Sequence, residues 1–432
     1  MFERPHRGER AMLVHITFTH HGEQASLEEF TQLAHSAGVV VVTQITGTRQ
    51  VPEPSCFVGS GKLDEMKHSV ESHEVEVILV NHSLTPAQER NLETALHCRV
   101  LDRTGVILDI FAQRARSFEG QLQVELAQLQ YLSTRLIRGW THLERQRGGI
   151  GLRGPGETQL ETDRRLIANR IKNIHKRLEK VKQQRELGRK ARHRAQLPIV
   201  SLVGYTNTGK STLFNWLTHA SVYTADQLFA TLDATLRRLT LPNKVPLVLA
   251  DTVGFIQHLP HHLIAAFRAT LEETRQASLL LHVVDATDEE YFLRIEQVNQ
   301  ILSEIGAHDI VQILLFNKID QLGKEAHYER NQEGQIAKIW LSAKTGAGID
   351  FLTLALVERL SHHLRHVWIR VPVQAGHLRA QLFNLSHVLQ EHYTENGDSL
   401  LEIQISEQYL MQLTHAEPTL QTSDTPIYHQ HH

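Results

Sequence analysis

The sequence predicts an α/β protein of several domains, and three observations carry that expectation. Apolar, β-branched runs alternate with helical segments across residues 11–113 and again across 197–363. Between them, residues 120–194 carry apolar side chains at three- and four-residue spacing. One apolar run, Ile199–Val203, leads straight into Gly204-Tyr205-Thr206-Asn207-Thr208-Gly209-Lys210-Ser211, which has the spacing of a phosphate-binding loop.

Taken in order, Met12–Phe18 reads as a strand, Ser26–His35 as a helix and Val39–Ile45 as a strand. Leu63–Ser72 reads as a helix, Val75–Val80 as a strand, Ala87–Leu96 as a helix behind Pro86, and Arg99–Leu101 as an extended piece. This alternation assigns residues 1–113 to an N-terminal α/β domain. Leu122, Leu126, Leu129, Leu132 and Leu136 form one helical seam, and Ile167, Ile171, Ile174, Leu178 and Val181 form a second. Gly148–Gly156 lies between them with five glycines and Pro155, which no helix survives. Residues 114–196 are therefore expected to form a long antiparallel helical hairpin with a glycine-rich tip. Residues 197–365 alternate again, with strands at Ile199–Val203, Leu236–Leu241, Leu247–Ala250, Leu279–Val284, Val311–Phe316 and Lys338–Leu341. Residues 366–432 read as a small C-terminal α/β domain: strand Val367–Val373, helix Leu378–His392, strand Leu400–Ile405, helix Glu407–Leu413 and a polar, histidine-rich tail.

Composition narrows the class. Only Cys56 and Cys98 are present, which leaves no disulfide framework and no Cys-x-x-Cys metal spacing. The opening MFERPHRGER is too polar for a signal peptide, and no apolar stretch approaches the roughly 18 residues that span a bilayer. A cytoplasmic protein is expected, with peripheral membrane association left open. Charge is uneven: Arg114–Arg194 holds 20 Lys and Arg against 8 Asp and Glu, a balance of +12 that leaves −15 for the remainder. Such asymmetry suits either a polyanion contact made by one segment or a solvated helical face.

The chemistry begins at the loop after Ile199–Val203. Its glycines let backbone N–H groups turn inward around phosphate oxygens, and the following helix aims its positive end at the same anion. Lys210 adds a full charge toward the β- and γ-phosphates, and the Ser211 hydroxyl is the expected Mg²⁺ ligand. Gly59-Ser60-Gly61-Lys62 resembles such a loop only superficially. Cys56 replaces its first glycine and Leu63 its metal-binding hydroxyl, so a plain turn is expected there.

Four more segments follow in the order a GTP-hydrolysing domain needs. In Phe229-Ala230-Thr231-Leu232-Asp233, Thr231 can complete the Mg²⁺ shell when a γ-phosphate is present, with Thr235 a weaker rival. In Asp251-Thr252-Val253-Gly254, the Asp can hold the metal through water and Gly254 can offer its N–H to the γ-phosphate. In Asn317-Lys318-Ile319-Asp320, the acid accepts both N–H donors of guanine, which adenine lacks; leaving such an acid buried and unpaired discriminates by about 10⁴–10⁵. The Lys318 stem can lie over the base plane. In Ser342-Ala343-Lys344, a backbone N–H can reach guanine O6. Lys210, Thr231 and Gly254 are the candidate catalytic groups. Phe255 stands where some GTPases carry a water-orienting Gln, so slow intrinsic hydrolysis and stimulation by a partner are expected. The Asn207 amide can help hold a monovalent cation such as K⁺ beside the phosphates, or simply stiffen the loop.

Together GYTNTGKST, FATLD, ADTVGF, NKID and SAK, with ERQRGGIGLRGPGETQLETDRR at Glu144–Arg165, resemble the HflX family of translation-associated GTPases. The similarity runs from the N-terminus to about Leu364. It implies that the N-terminal domain and hairpin bind the large ribosomal subunit and its rRNA, with the hairpin loop approaching the peptidyl-transferase region. It implies splitting of stalled or stressed ribosomes, with GTP binding sufficient and hydrolysis aiding release. Thr208 stands where the family often has Ala, and Ala234 where it often has Pro; neither is an assigned ligand. The basic segment agrees with an rRNA partner. Two rivals use the same segment differently: a GTP-regulated protein scaffold, and a membrane-associated GTPase. The apolar seams are narrow, which suits packing better than bilayer contact. A monomer is expected, although nothing in the sequence fixes the oligomeric state.

Overall fold

The computed structural model describes residues 8–19, 26–139, 155–194, 197–219, 228–229, 231–256, 273–360, 364–394, 396–416 and 420–423. They fall into two compact units: Met1–Arg185 with Tyr223–Asp233 and Val253–Leu271, and Glu186–Val222 with Ala234–Thr252 and Glu272–His432.

In the first unit the chain runs β1 (Arg10–Phe18), α1 (Leu27–Ala37), β2 (Val40–Arg49), α2 (Ser60–Ser72), β3 (Val77–Val80), α3 (Pro86–Leu96), β4 (Arg99–Asp102), α4 (Arg103–Arg114), α5 (Phe118–Gly139) and α6 (Pro155–Arg194) as far as Arg185, the rest of α6 being counted in the second unit. The sheet is parallel with order β2-β1-β3-β4. Period-two alternation sorts β1: Met12, Val14, Ile16 and Phe18 join the core with Ile45, Met66 and Leu92. Helix starts follow capping chemistry. Ser26 caps α1, Thr85 and Gln88 form a capping box ahead of Pro86, and Asp102 caps α4 through Gly105 N–H.

Helix α4 is absent from the sequence expectation, which ended this domain's elements at Leu101. Gly59-Ser60-Gly61-Lys62 is also not a plain turn: Gly59 is the N-cap and Ser60–Lys62 the first residues of α2. The two apolar seams meet as expected. Leu122, Leu126 and Ile174 are buried together with Leu129, Ile171 and Leu178 against them, and Arg170 pairs with Glu125 at 2.6 Å. Residues 140–154 lie outside the described residues, but Pro155 and Gly156, expected in the glycine-rich tip, are instead the first residues of α6, where proline's missing N–H costs nothing.

The second unit contains β5 (Ile199–Val203), α7 (Lys210–Thr218), β6 (Thr235–Thr240), β7 (Pro246–Asp251), β8 (Leu279–Asp285), α8 (Tyr291–Glu304), β9 (Gln312–Asn317), α9 (Ile319–Leu322), β10 (His327–Arg330), β11 (Ile336–Trp340) and α10 (Ile349–Leu360). Its sheet has order β10-β11-β9-β8-β5-β7-β6, parallel from β11 to β7 and antiparallel at both edges. Strands β5, β7, β8 and β9 are near-continuous apolar runs because both faces of a parallel sheet are covered. After them come β12 (Leu364–Val371), α11 (Gly376–Leu385), β13 (His387–Tyr393), β14 (Ser399–Ser406), α12 (Glu407–Ala416) and β15 (Gln421–Ser423), in an antiparallel sheet of order β13-β14-β12-β15.

The expected helix Leu378–His392 is overturned. It stops at Leu385, and His387–Tyr393 pairs with β14. Ser386 makes the break. Its backbone is extended (φ −129°) and its hydroxyl donates back to the Leu382 carbonyl, a local bond that competes with continuing the helix.

Candidate nucleotide site

The second unit's sheet turns its order at β5, whose parallel neighbours β7 and β8 lie on either side. Open parallel sheets take ligands at the carboxyl ends of the strands flanking such a point. The sequence-predicted segments of this unit sit there: the loop after β5, Asp251 at the end of β7, Asn317 at the end of β9 and Ser342 just past β11.

The loop glycines are required by their surroundings. Gly204 has φ +145°, and a Cβ on it would lie 2.2 Å from the Val283 carbonyl oxygen. Gly209 has φ +92°, and a Cβ there would lie 2.2 Å from Asn317 Nδ2. Asn207 also takes a left-handed backbone, φ +61°. Lys210 is buried, its ammonium donating to the carbonyls of Gly204 (3.1 Å) and Tyr205 (2.5 Å). Burial lowers its pKa to about 8, against the upward pull of Asp251. Ser211 Oγ donates to Asp251 Oδ2 at 2.8 Å, and Asp251 is fully buried. A hydroxyl and a carboxylate oxygen so placed suit a hard divalent cation that keeps several waters. Thr252 Oγ1 donates to the Leu202 carbonyl at 2.6 Å, pinning β7 to β5.

The base-selecting segments meet through Asn317. Its Nδ2 donates to the Thr208 carbonyl (2.8 Å) and its Oδ1 accepts from Ala343 N–H (2.8 Å). Sequence reasoning aimed this side chain at guanine; in the structure one N–H and the oxygen of the amide also tie the phosphate loop to the Ser342–Lys344 loop. Ser342 Oγ donates to Asp320 Oδ1 at 2.7 Å and orients that carboxylate. Asp320 itself is exposed, so the desolvation argument holds only where a base shields it from water. Lys318, with φ +70°, pairs with Asp285 at 2.7 Å, and α9 begins behind it with Ile319 buried.

The Phe229–Asp233 segment and Val253–Gly254 belong to the first unit. Phe229 and Leu232 are buried there, the Asp233 carboxylate is spent on the start of α5, and Ala230 lies outside the described residues. Val253 and Phe255 are buried too. Two supporting residues have no sequence signal. Trp216 of α7 lies where a Cβ on Gly346 would meet its ring at 2.2 Å, and the Arg294 guanidinium covers the Tyr205 ring at 4.8 Å. Both contacts join segments far apart in the chain. No group of three or more His, Cys, Asp or Glu suited to a metal occurs among the described residues.

Known proteins share this organisation. Family models described as GTP-binding GTPase N-terminal, GTP-binding GTPase Middle Region and 50S ribosome-binding GTPase match residues 24–112, 114–192 and 199–318. A GTPase HflX from Escherichia coli (strain K12) is 56% identical over 421 residues, covering 97% of this chain and 99% of that protein. The chain belongs to the HflX family of GTPases. A second HflX, from Magnetococcus marinus, is 45% identical over 382 residues and 88% of each chain. Among solved structures, an SsGBP and GDP complex is similar to this HflX-family chain with a TM-score of 0.48 and 24% identity, over 82% of this chain and 99% of the other. The protein is a P-loop GTPase of α/β architecture.

Proposed function

We propose that this GTPase binds the large ribosomal subunit and, with GTP, separates stalled ribosomes into subunits. The observation that carries the reading is an exposed cationic helix in an HflX-family chain. Lys172, Lys176, Lys180 and Lys182 of α6 are exposed to solvent, within the stretch of +12. Backbone phosphates of rRNA are the polyanion such a face suits. The family description of a 50S ribosome-binding GTPase for residues 199–318 supports the same partner.

In this reading the amides of Gly204–Ser211 and the Lys210 ammonium hold the triphosphate. Ser211 and Thr231, with Asp251 behind a water, hold Mg²⁺, which supplies charge neutralisation when bound. Gly254 senses the γ-phosphate. Asp320, held by Ser342, takes the guanine N–H donors, with Lys318 and Lys344 beside it. Asn317 acts by fixing the two loops. Asn207 is the residue suited to K⁺. The buried Phe255 orients no water, which fits slow turnover until a partner completes the site.

The test is sedimentation of intact ribosomes on sucrose gradients with the purified protein. Free subunits are expected to accumulate with GTP or a non-hydrolysable analogue and not with GDP. An unchanged profile under GTP would sink the proposal.

A further inference from the structure

We propose that Asp233 is a nucleotide-sensitive clasp joining the segment that carries Thr231 to the base of α5. The first amides of any helix need acceptors from outside it. At α5 the Ser117 hydroxyl accepts from Gly120 N–H at 2.8 Å. Asp233, 116 residues further along the chain, holds that capping serine in place. Its Oδ2 accepts from the backbone N–H groups of Arg116 (2.9 Å) and Ser117 (2.8 Å), and its Oδ1 accepts from Ser117 Oγ (2.5 Å). A carboxylate there also meets the positive end of the helix dipole. The seat is closed to side chains, since a Cβ on Gly120 would lie 2.2 Å from Asp233 Oδ1.

The other side of Thr231 is seated on the same unit. Leu228 N–H donates to Ser36 Oγ of α1 at 2.9 Å. Phe229, at φ +56°, sets its ring edge-on to Phe111 of α4 with centroids 4.6 Å apart. Thr231 is thus bracketed by two anchors, and only Leu232 separates it from Asp233. Two residues of extended chain span about 7 Å, so a shift of Thr231 by several ångströms reaches the carboxylate. The inference rests on the reading of Thr231 as the group that answers the γ-phosphate. Given that, occupancy of the nucleotide site and capping of α5 are linked, and the coupling runs both ways.

Hydrogen exchange on the full chain with Mg²⁺ tests this. Amides of Arg116–Gln121 are compared with GDP and with a non-hydrolysable GTP analogue, and calorimetry of both nucleotides is run in parallel. In the unsubstituted protein the exchange rates are expected to differ between the two ligands by about two- to thirtyfold, the range an N-cap commands. Gly120→Ala favours the helix itself but blocks the carboxylate, so it tests the clasp without threatening the fold. It and Asp233→Asn are expected to remove the difference. Gly120→Ala should also change the ratio of analogue to GDP affinity by about fivefold or more. Equal exchange with both nucleotides bound, or an unchanged ratio in Gly120→Ala, overturns the clasp alone. Failure of either nucleotide to bind overturns the pocket reading and the clasp with it.

Discussion

Asn317 shows how one side chain can organise a site by holding its loops together. Its amide bridges Thr208 and Ala343, so two loops that arrive from different strands hold one spacing. Gly209 exists to admit it. Gly209→Ala would put a methyl 2.2 Å from Asn317 Nδ2 on a left-handed backbone that costs a non-glycine residue about 1–2 kcal/mol. GDP affinity is expected to fall about tenfold or more, by calorimetry; an unchanged Kd would show the bridge to be dispensable. Lys210 gives a pH signature. Burial holds its pKa at about 8, below the ordinary 10.5, and phosphate oxygens beside it would raise it again. Binding above pH ~8 must therefore take up protons, and affinity should decline as pH rises beyond that point. Calorimetry in two buffers of different ionisation enthalpy reads the uptake directly, and none at alkaline pH would refute the placement of Lys210 against phosphate.

At the scale of elements, α5 is fixed to the sheet by a buried ionic cluster. Arg135 pairs with Glu89 of α3 at 2.7 Å and with Asp102 at 2.8 Å, while the Tyr131 hydroxyl donates to Asp102 at 2.6 Å. Asp102 also accepts from Leu84 and Gly105 N–H groups, so it caps α4 and anchors α5 at once. Removing one partner strands buried charge. Arg135→Ala is expected to lower stability by about 3–5 kcal/mol in chemical denaturation, and a loss within experimental error would mean the cluster is solvated. Burial lifts Glu89 to about 7, with Arg135 opposing. A folded pKa above the unfolded 4.5 means the native state holds more protons across that window. Stability from this group therefore declines as pH rises from 4.5 through about 7, and Glu89→Gln should flatten that slope in a thermal series.

For the whole molecule, the exposed lysines of α6 predict association dominated by counterion release. Binding to large subunits should weaken linearly in log salt, and neutralising three of those lysines should reduce the slope by about 2–3. A salt-insensitive interaction would point instead to an apolar protein partner. Among the described residues no helix is long and apolar enough to cross a membrane.

The order of the nucleotide segments, the parallel strands beneath them and the two apolar seams were legible in the sequence. Each depends on local period, on glycine where φ is positive, or on a motif of fixed spacing. Strand β5 matches its expected bounds because a short β-branched, mostly apolar run feeding a glycine reads as a buried strand. The turn at Ser386, the edge strand β10 and helix α4 escaped, since their residues lack a clean period and their state is set by neighbours. Only the tertiary structure could turn Asn317 inward as a strut, expose Asp320, lay Trp216 on Gly346 and bring Asp233 to the head of α5. Those choices join residues tens to more than a hundred positions apart. No local propensity encodes them, because their energy exists only when both partners are already in place.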